Sequence, residues 1–417
     1  MRKTGSMTGW AALGVLVLCF LLNALARGAG ETYAVFLLPI GAETGWDRAD
    51  LTSVYSVYML ANGLASPFVG AAFDRFGGRV LYVFGLISLG GGFWLAGQMQ
   101  HLWHLTMTVG IMGGLGIASL GMIPGSILIS RWFDARMGTA MAIASAGLGT
   151  GTLILAPLAQ VLVDSVGWRG GYGLIGGTIL LLALPVALLP WRRITEGMVQ
   201  RAPASSGDLP TEGIARAIRT RPFWALFGAF FLTAIGGYGI ALQTVAYLVE
   251  QGFAPIQAAS AFGFAGMLSI FGMLVVGAAA DRYGNRVAVS ATYVATLLGI
   301  VSLALVQVHP GFAFVVGFVI FFGGTMGARG PIISTLAATI FSGRGIGAIY
   351  GTITTGQGLG AAIGTWLAGF LHDLTGGYTV GFTISSAFIL AAMTIFWVVP
   401  ELSVRRGRAA AGDGDHS

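Results

Sequence analysis

Two oppositely charged residues, Arg27 and Glu31, lie four positions apart in an otherwise apolar stretch, residues 21–39 (LLNALARGAGETYAVFLLP). On a helix this spacing places both side chains on one face, where they can pair with each other. An ionised group at bilayer depth is costly, so such side chains face a partner or a water-filled cavity. In a cavity the guanidinium can bind an anion and the carboxyl group can carry a proton. The pair therefore indicates a candidate functional site.

The composition indicates an integral membrane protein. Of the 417 residues, 55% are hydrophobic and 9% are charged, whereas soluble globular proteins carry about 25% charged residues. The apolar runs are continuous rather than alternating, which predicts membrane helices of roughly twenty residues and excludes membrane strands. Twelve spans are predicted, at residues 10–40, 51–73, 79–98, 103–129, 137–163, 170–190, 222–249, 257–280, 287–307, 311–340, 346–371 and 378–399.

The basic residues between these spans predict the orientation of the chain. An even number of spans places both termini on one side, and 18 of the 22 basic residues lie on that side. By the positive-inside rule both termini are cytoplasmic. The net charge of +6 therefore reflects topology and does not indicate nucleic-acid binding. The single cysteine, Cys19, excludes an intrachain disulfide and a cysteine metal cluster.

A polar segment divides the spans into two groups of six. Residues 1–190 are predicted to form an N-terminal six-helix bundle, and residues 222–400 a C-terminal one. Residues 191–221 are predicted to be a cytoplasmic linker, and its last part, 214–221, could instead form a basic helix on the membrane surface. Residues 401–417 are predicted to be a disordered cytoplasmic tail.

The two halves are copies of each other in the same orientation. The sequence GAAFDRFGGRV at residues 70–80 recurs as GAAADRYGNRV at residues 277–287, an offset of 207. Further matches lie at nearly the same offset along two hundred residues, which indicates a duplication. A parallel six-helix repeat is the plan of one large class of secondary transporter, in which substrate is bound between the halves near the middle of the membrane.

On these motifs the chain resembles the major facilitator superfamily (MFS) over essentially its whole length. The resemblance implies gating by the loop motif G-x-x-x-D-R-x-G-x-R, whose glycine turn carries charges able to form ion pairs in only one conformation. The alternative is a turn that only fixes topology. The motif residues are Gly70, Asp74, Arg75, Gly77 and Arg79 after span 2, and Gly277, Asp281, Arg282, Gly284 and Arg286 after span 8.

Three segments, residues 45–79, 130–151 and 327–341, look like bacterial monocarboxylate-transporter-like and oxalate/formate-antiporter-like members of that superfamily. This likeness implies location in a bacterial inner membrane. Those carriers typically hold charged residues in spans 8 and 11, whereas both spans are uncharged here. Their substrate-binding residues are therefore not carried over to this chain.

Only three charged residues fall within the predicted spans, namely Arg27, Glu31 and Arg329. Their repeat counterparts are uncharged, so the shared scaffold does not require them. The resemblance places them in spans 1 and 10, which line the central cavity. We assign Arg329 as the principal carboxylate anchor, because a guanidinium matches a carboxylate with a planar two-donor fork. The alternative is that Arg329 caps the bend before Pro331.

Arg27 is predicted to be a second anchor or the partner of Glu31, and Glu31 to be the proton carrier. Burial disfavours the charged carboxylate and Arg27 favours it, so protonation can be coupled to the arrival of substrate. The alternative is a structural ion pair that holds span 1. Further candidates for substrate binding, each of which could instead be a packing or hydrogen-bonding group, are Tyr33, Tyr58, Asn62, Tyr238, Gln243 and Gln357.

The sequence therefore predicts a secondary active transporter of a small organic anion, a mono- or dicarboxylate, by proton symport or anion exchange with alternating access. The alternative is an exporter of hydrophobic or drug-like compounds. The sequence lacks H-E-x-x-H, G-x-S-x-G and G-x-x-x-x-G-K motifs, which disfavours an enzyme, and we predict no cofactor and no metal. The expected partners are the anion, protons and lipid, with the protein as a monomer.

Overall fold

A computed structural model describes residues 4–133, 137–196, 216–341 and 346–403, which are helical and contain no strand. Nine helices of this described part are long and apolar enough to cross a membrane. In chain order the described helices are Thr4–Glu31, Tyr33–Thr44, Arg48–Ala96, Leu102–Leu105, a π-helix at Thr106–Gly113, Gly114–Leu120, Met122–Trp132, Met137–Leu188, Trp191–Glu196, Arg221–Glu250, Pro255–Tyr283, Asn285–Leu305, Phe312–Phe321, a 3₁₀ helix at Gly323–Thr325, Arg329–Ile340, Ile346–Thr375, Thr379–Val398 and a 3₁₀ helix at Pro400–Ser403.

Two of these nine helices each contain two membrane spans. Arg48–Ala96 has 49 residues and Met137–Leu188 has 52, whereas roughly twenty residues cross the hydrocarbon core. Each is broken once, at Gly77 (φ 79°, ψ 162°) and at Gly167 (φ 74°, ψ 168°). Together with Ile346–Thr375, which has 30 residues, the count is twelve. The predicted all-α fold with twelve membrane helices is confirmed.

The internal repeat is visible in the turns that end the helices. Every residue with positive φ in the described part of the chain is a glycine, and the six glycines form three repeat pairs. In this left-handed region a side chain would be strained, which explains the choice of glycine. The pairs, at offsets of 207 or 209, are Gly45 with Gly252, Gly77 with Gly284, and Gly167 with Gly376.

Spans 1, 4 and 10 are interrupted near their middle, whereas span 7, Arg221–Glu250, is one continuous helix. Span 1 breaks at Thr32, and span 4 breaks at Gly121, three residues before Pro124. Span 10 is helical again only from Arg329, two residues before Pro331. Proline removes a backbone donor and clashes with the preceding turn, so spans 4 and 10, with Pro124 and Pro331 at equivalent positions, break at the same point of the repeat. As a result, Glu31 ends one helical segment and Arg329 begins another.

Glycines allow the two halves to approach closely. A Cβ atom on Gly149 of span 5 would lie 2.5 Å from the carbonyl oxygen of Gly266 of span 8. At the equivalent contact, a Cβ atom on Gly358 of span 11 would lie 2.8 Å from the Cα atom of Gly63 of span 2. Small residues provide close helix packing in membranes, where the hydrophobic effect does not drive association.

The predicted linker lies mostly outside the described residues, as does the predicted tail. The described start of the linker is the short helix Trp191–Glu196. The Arg131 guanidinium donates to the Thr195 carbonyl at 2.9 Å, and the Trp132 indole donates to the Ile194 carbonyl at 2.8 Å. These bonds hold the short helix against the end of span 4. The alternative of a surface helix at 214–221 concerns residues that are described only from 216 onward.

We expect Gly151→Ala and Gly360→Ala to destabilise the protein. These repeat-equivalent glycines contact backbone, because an added Cβ atom would overlap the carbonyl oxygens of Ala24 and Phe231 respectively. Overpacking of this kind costs about 1–3 kcal/mol. Thermal unfolding in detergent should show a lower melting temperature for both variants.

Gly173→Ala is the matched control. This helical glycine has nothing within 4 Å of an added Cβ atom. The substitution should therefore leave the free energy of unfolding unchanged or raise it by up to about 1 kcal/mol, the helix preference of alanine over glycine. The melting temperature should be unchanged or higher. Equal effects at all three positions would contradict the packing argument.

Candidate functional site

The candidate site is built around an ion pair in span 1. The Arg27 Nη2 atom lies 2.6 Å from the Glu31 Oε1 atom, as the spacing of four residues allows. The Glu31 side chain is 6% exposed and the Arg27 side chain 26%. Because Glu31 ends the helix Thr4–Glu31 next to the break at Thr32, its carboxylate is held inside the protein and Arg27 faces the more open side.

Tyr55 of span 2 is a second partner of this carboxylate that the sequence analysis missed. Its hydroxyl donates to the Glu31 Oε2 atom at 3.3 Å. The Tyr55 ring stacks on Tyr58, with centroids 5.1 Å apart, and lies 5.7 Å from Tyr33. The spacing of three residues between Tyr55 and Tyr58, on one helix face, was the available signal.

Tyr33 and Tyr58 lie behind the ion pair. Both side chains are buried, and the Tyr33 hydroxyl donates to the Leu51 carbonyl at 2.7 Å. The Tyr58 hydroxyl is buried without a hydrogen-bond partner among the described residues, directly against Gly30. This geometry favours a packing role for Tyr33 over a substrate contact.

Arg27 also reaches the C-terminal half. Its Cζ atom lies 5.9 Å from the centre of the Tyr238 ring in span 7, a distance at which a guanidinium is attracted to an aromatic face. Tyr238 is the repeat counterpart of Glu31, at the offset of 207. Arg27 therefore contacts two residues at equivalent positions in the two halves and links them at the centre of the protein.

Arg329 is buried against span 9. Its Nε atom donates to the Thr292 hydroxyl at 3.1 Å, its Nη2 atom donates to the Thr292 carbonyl at 2.9 Å, and Nη2 also donates to the Thr296 hydroxyl. Its Cζ atom lies 4.3 Å from the centre of the Tyr293 ring. None of these bonds is a cap of the bend before Pro331, so the alternative role considered from the sequence has no support in these contacts.

No carboxylate neutralises Arg329 among the described residues. Its partners among the described residues are neutral hydroxyl, carbonyl and aromatic groups of span 9. Arg329 lines a cavity of about 80 Å³. The cavity brings Arg329 together with two other predicted residues, Tyr238 and Gln357.

The remaining amide candidates differ in their surroundings. Gln243 is buried, and neither side-chain polar atom has a partner among the described residues. Asn62 is half-buried in span 2 and does not line the cavity beside Arg329. Asn23 was not predicted, although it lies one turn before Arg27. It is buried and donates to the Ala144 carbonyl at 3.2 Å, which ties span 1 to span 5.

The two halves are joined at the end of the molecule where span 2 begins, here called the closed end. The Arg48 Nη2 atom lies 2.5 Å from the Glu250 Oε1 atom of span 7. The Asp373 carboxylate of span 11 accepts the backbone N–H groups of Arg48 at 3.1 Å and Ala49 at 2.6 Å. Deeper in the same contact, the hydroxyls of Ser56 and Thr365 lie 2.8 Å apart.

The motif residues adopt the predicted turn at both copies. Gly77 and Gly284 have φ values of 79° and 89°. Asp74 lies 3.9 Å from Arg131 of the same half, and the Arg286 Nε atom donates to the Phe396 carbonyl of its own half at 2.9 Å. Arg75 lies over the ring of Phe76, and Arg282 lies over the ring of Tyr283.

The other motif residues have simpler surroundings. An added Cβ atom on Gly70 or Gly277 would meet no atom within 4 Å. Arg79 is exposed, and Asp281 interacts with a neighbouring group.

We expect Arg27→Ala to destabilise the protein more than the double substitution Arg27→Ala with Glu31→Gln. Removing Arg27 alone leaves the carboxylate of Glu31 buried and uncompensated, which costs about 3–5 kcal/mol. The double variant removes that charge as well. Thermal unfolding of the two single variants and the double variant measures the coupling, and additive effects would show that the two side chains do not stabilise each other.

Known proteins agree with this architecture. The family model of the Major Facilitator Superfamily matches residues 16–328 and 280–415. Monocarboxylate transporter 13 of Bos taurus is 28% identical over 395 residues, covering 94% of this chain and 90% of that protein. The uncharacterized MFS-type transporter YcxA of Bacillus subtilis (strain 168) is 22% identical, with 98% of each protein covered.

A solved structure has the same fold. The crystal structure of a bacterial homolog of the human lysosomal transporter Spinster, inward-facing and unoccupied, matches with a TM-score of 0.67 and 15% identity, covering 94% of this chain and 95% of that one. The resemblance drawn from the loop motifs and the repeat is confirmed, and the chain belongs to the Major Facilitator Superfamily.

Proposed function

We propose that the protein transports a small organic anion, a mono- or dicarboxylate, by proton symport or anion exchange with alternating access. The observation that carries this proposal is the buried side chain of Arg329, which lines a cavity formed by spans 7, 9, 10 and 11 and has no carboxylate partner among the described residues. Because Arg27 and Glu31 neutralise each other, the site has an excess of one positive charge, and an anion would balance it.

The relatives support the same substrate class. Several similar proteins that cover most of this chain are named monocarboxylate transporters. In our proposal residues 1–190 and 222–400 are the two bundles that move against each other, and residues 191–221 connect them. The distribution of basic residues supports cytoplasmic termini, and we place the protein in the bacterial inner membrane as a monomer.

In this mechanism Arg329 anchors the carboxylate and Arg27 exchanges partners. Arg27 is the more exposed member of its pair and lies beside Tyr238, which lines the cavity together with Arg329. An anion that draws Arg27 toward the cavity would remove the counter-charge of Glu31. The buried carboxyl group would then favour its protonated form, because its charged form is left without compensation. Substrate and proton would thereby be bound together.

The alternative of an exporter of hydrophobic compounds is disfavoured by the same geometry. A neutral ligand beside Arg329 would bury an uncompensated guanidinium more deeply, at a cost in desolvation. Uptake of labelled mono- and dicarboxylates into proteoliposomes, compared with accumulation of hydrophobic dyes, tests the two substrate classes directly. Dye transport without carboxylate transport would reject the proposal.

We expect Arg329→Ala to lose anion binding without loss of fold. Truncating one partner of a buried charged contact costs about 2–5 kcal/mol, so Kd should rise roughly thirtyfold or more. Stabilisation by carboxylates in a thermal-shift assay measures this change, since a ligand at a hundred times its Kd adds about 2.7 kcal/mol.

Arg329→Lys is the matched variant. It keeps the positive charge but loses the two-donor fork, so its affinity should lie between those of the wild type and Arg329→Ala. Full transport activity in Arg329→Ala would refute the anchor role.

We expect Glu31→Gln to transport substrate by exchange but not to respond to a pH gradient. Glutamine keeps the size and polarity of the side chain but cannot bind and release a proton. Flux into proteoliposomes should be measured with and without an inward proton gradient, and substrate exchange should be measured at equal pH on both sides. Tyr55→Phe, which removes one hydrogen bond to Glu31 but leaves its carboxyl group in place, is the control and should still respond to the gradient. An unchanged pH response in Glu31→Gln would exclude Glu31 as the proton carrier.

A further inference from the structure

A groove of about 490 Å³ lies between the start of span 7 and the end of span 12, away from the central site. One wall carries Arg219, Thr220 and Arg221, and the other is formed by apolar atoms that include Ile395 and Val398. We propose that this groove binds an anionic membrane phospholipid, with the phosphate on the arginines and the first part of an acyl chain on the apolar wall.

The position of the groove is that of a membrane interface. Trp224 lines the groove, and Trp397 directly precedes the groove residue Val398 at the end of span 12. Their side chains are 55% and 56% exposed, and exposed tryptophans are typical of the level of the lipid head groups. The Trp224 indole donates to the Ile218 carbonyl at 2.7 Å, which fixes the ring against the segment that carries the arginines.

The two arginines are free to bind a phosphate. Both side chains are exposed, and neither forms an ion pair among the described residues. Guanidinium groups bind phosphate through paired hydrogen bonds, and basic pockets between membrane helices bind anionic head groups. The opposite wall runs along span 12 from Val398, the last residue of that helix, to Ile395, which lies deeper in the span. A phospholipid has the matching order of an anionic phosphate followed by apolar chains.

The repeat shows that the shared scaffold does not require this site. The counterparts of Arg219, Arg221 and Trp224 in the first half are Ala12, Gly14 and Val17. The arginines alone could serve only to orient the chain by the positive-inside rule. Orientation does not explain why two of them line a groove together with an exposed tryptophan, which is the combination that a lipid head group requires.

The test is lipid binding by the purified full-length protein. Native mass spectrometry in detergent, with phosphatidylglycerol and phosphatidylcholine added in turn, should show preferential binding of phosphatidylglycerol. The double variant Arg219→Gln with Arg221→Gln should bind phosphatidylglycerol about thirtyfold more weakly, the effect of two interfacial charges. The control is Arg192→Gln with Arg193→Gln, a second exposed pair, which should bind as the wild type does.

A second measurement locates the lipid. Phosphatidylglycerol with brominated acyl chains should quench the fluorescence of Trp224, seen as the difference between the wild type and Trp224→Phe, and brominated phosphatidylcholine should not. The proposal would be overturned if the two double variants lost phosphatidylglycerol binding equally, or if no quenching depended on Trp224. So would displacement of the lipid by excess glycerol phosphate, which would indicate a site for a free phosphate ester.

Discussion

The cost of placing ionised groups in hydrocarbon constrains the centre of this protein. Glu31 is tolerated there because Arg27 pairs with it at 2.6 Å and Tyr55 donates a second bond. Arg329 is tolerated because hydroxyl, carbonyl and aromatic groups of span 9 surround it. The Arg27–Glu31 pair is neutral overall, whereas the surroundings of Arg329 leave its positive charge uncompensated. In the proposed function this difference would favour an anion, because the remaining compensation would come from the ligand.

Duplication supplies the scaffold, and the departures from it supply the site. The glycine turns and the close glycine contacts between helices occur in both halves at the same offset. At the centre the copies differ: Glu31 is matched by Tyr238, and Arg329 is matched by Met122, whose sulfur atom accepts from Asn23 at 3.2 Å. Span 4 is therefore held to span 1 through Met122, whereas its counterpart, span 10, is held to span 9 through Arg329. In the proposed transport cycle, two halves that are similar in packing but different in charge would rock against each other around a single asymmetric site.

The sequence was sufficient for the features that depend on local composition. Spans follow from apolar runs, the repeat follows from matching loops, and the three intramembrane charges follow from counting. The contacts between spans could not be predicted from the sequence. Arg329 turns toward Thr292 and Thr296 of span 9 because the span is broken before Pro331, and the direction of a side chain after such a break cannot be read from periodicity. Tyr55 was missed for a related reason, since Tyr55 and Tyr58 share one helix face, and which of them reaches Glu31 depends on how far span 2 is shifted along span 1.

At the closed end, a difference between the two copies of the repeat joins the two halves. In the first half Glu43 is satisfied locally, by Arg169 at 2.9 Å. In the second half the position of Arg169 is taken by Tyr378, whose hydroxyl donates to Glu250 at 2.8 Å. Glu250 also lies 3.9 Å from His372 of its own half, and it pairs with Arg48 across the interface. The helix that begins at Arg48 has no bond from its own Asp47, and Asp373 of the other half caps it instead. A partly exposed ion pair contributes about 0–1 kcal/mol and a cap about 0.5–2 kcal/mol. Contacts of this size hold one end of the protein closed yet can be exchanged for others when a substrate binds, as the proposed transport cycle requires.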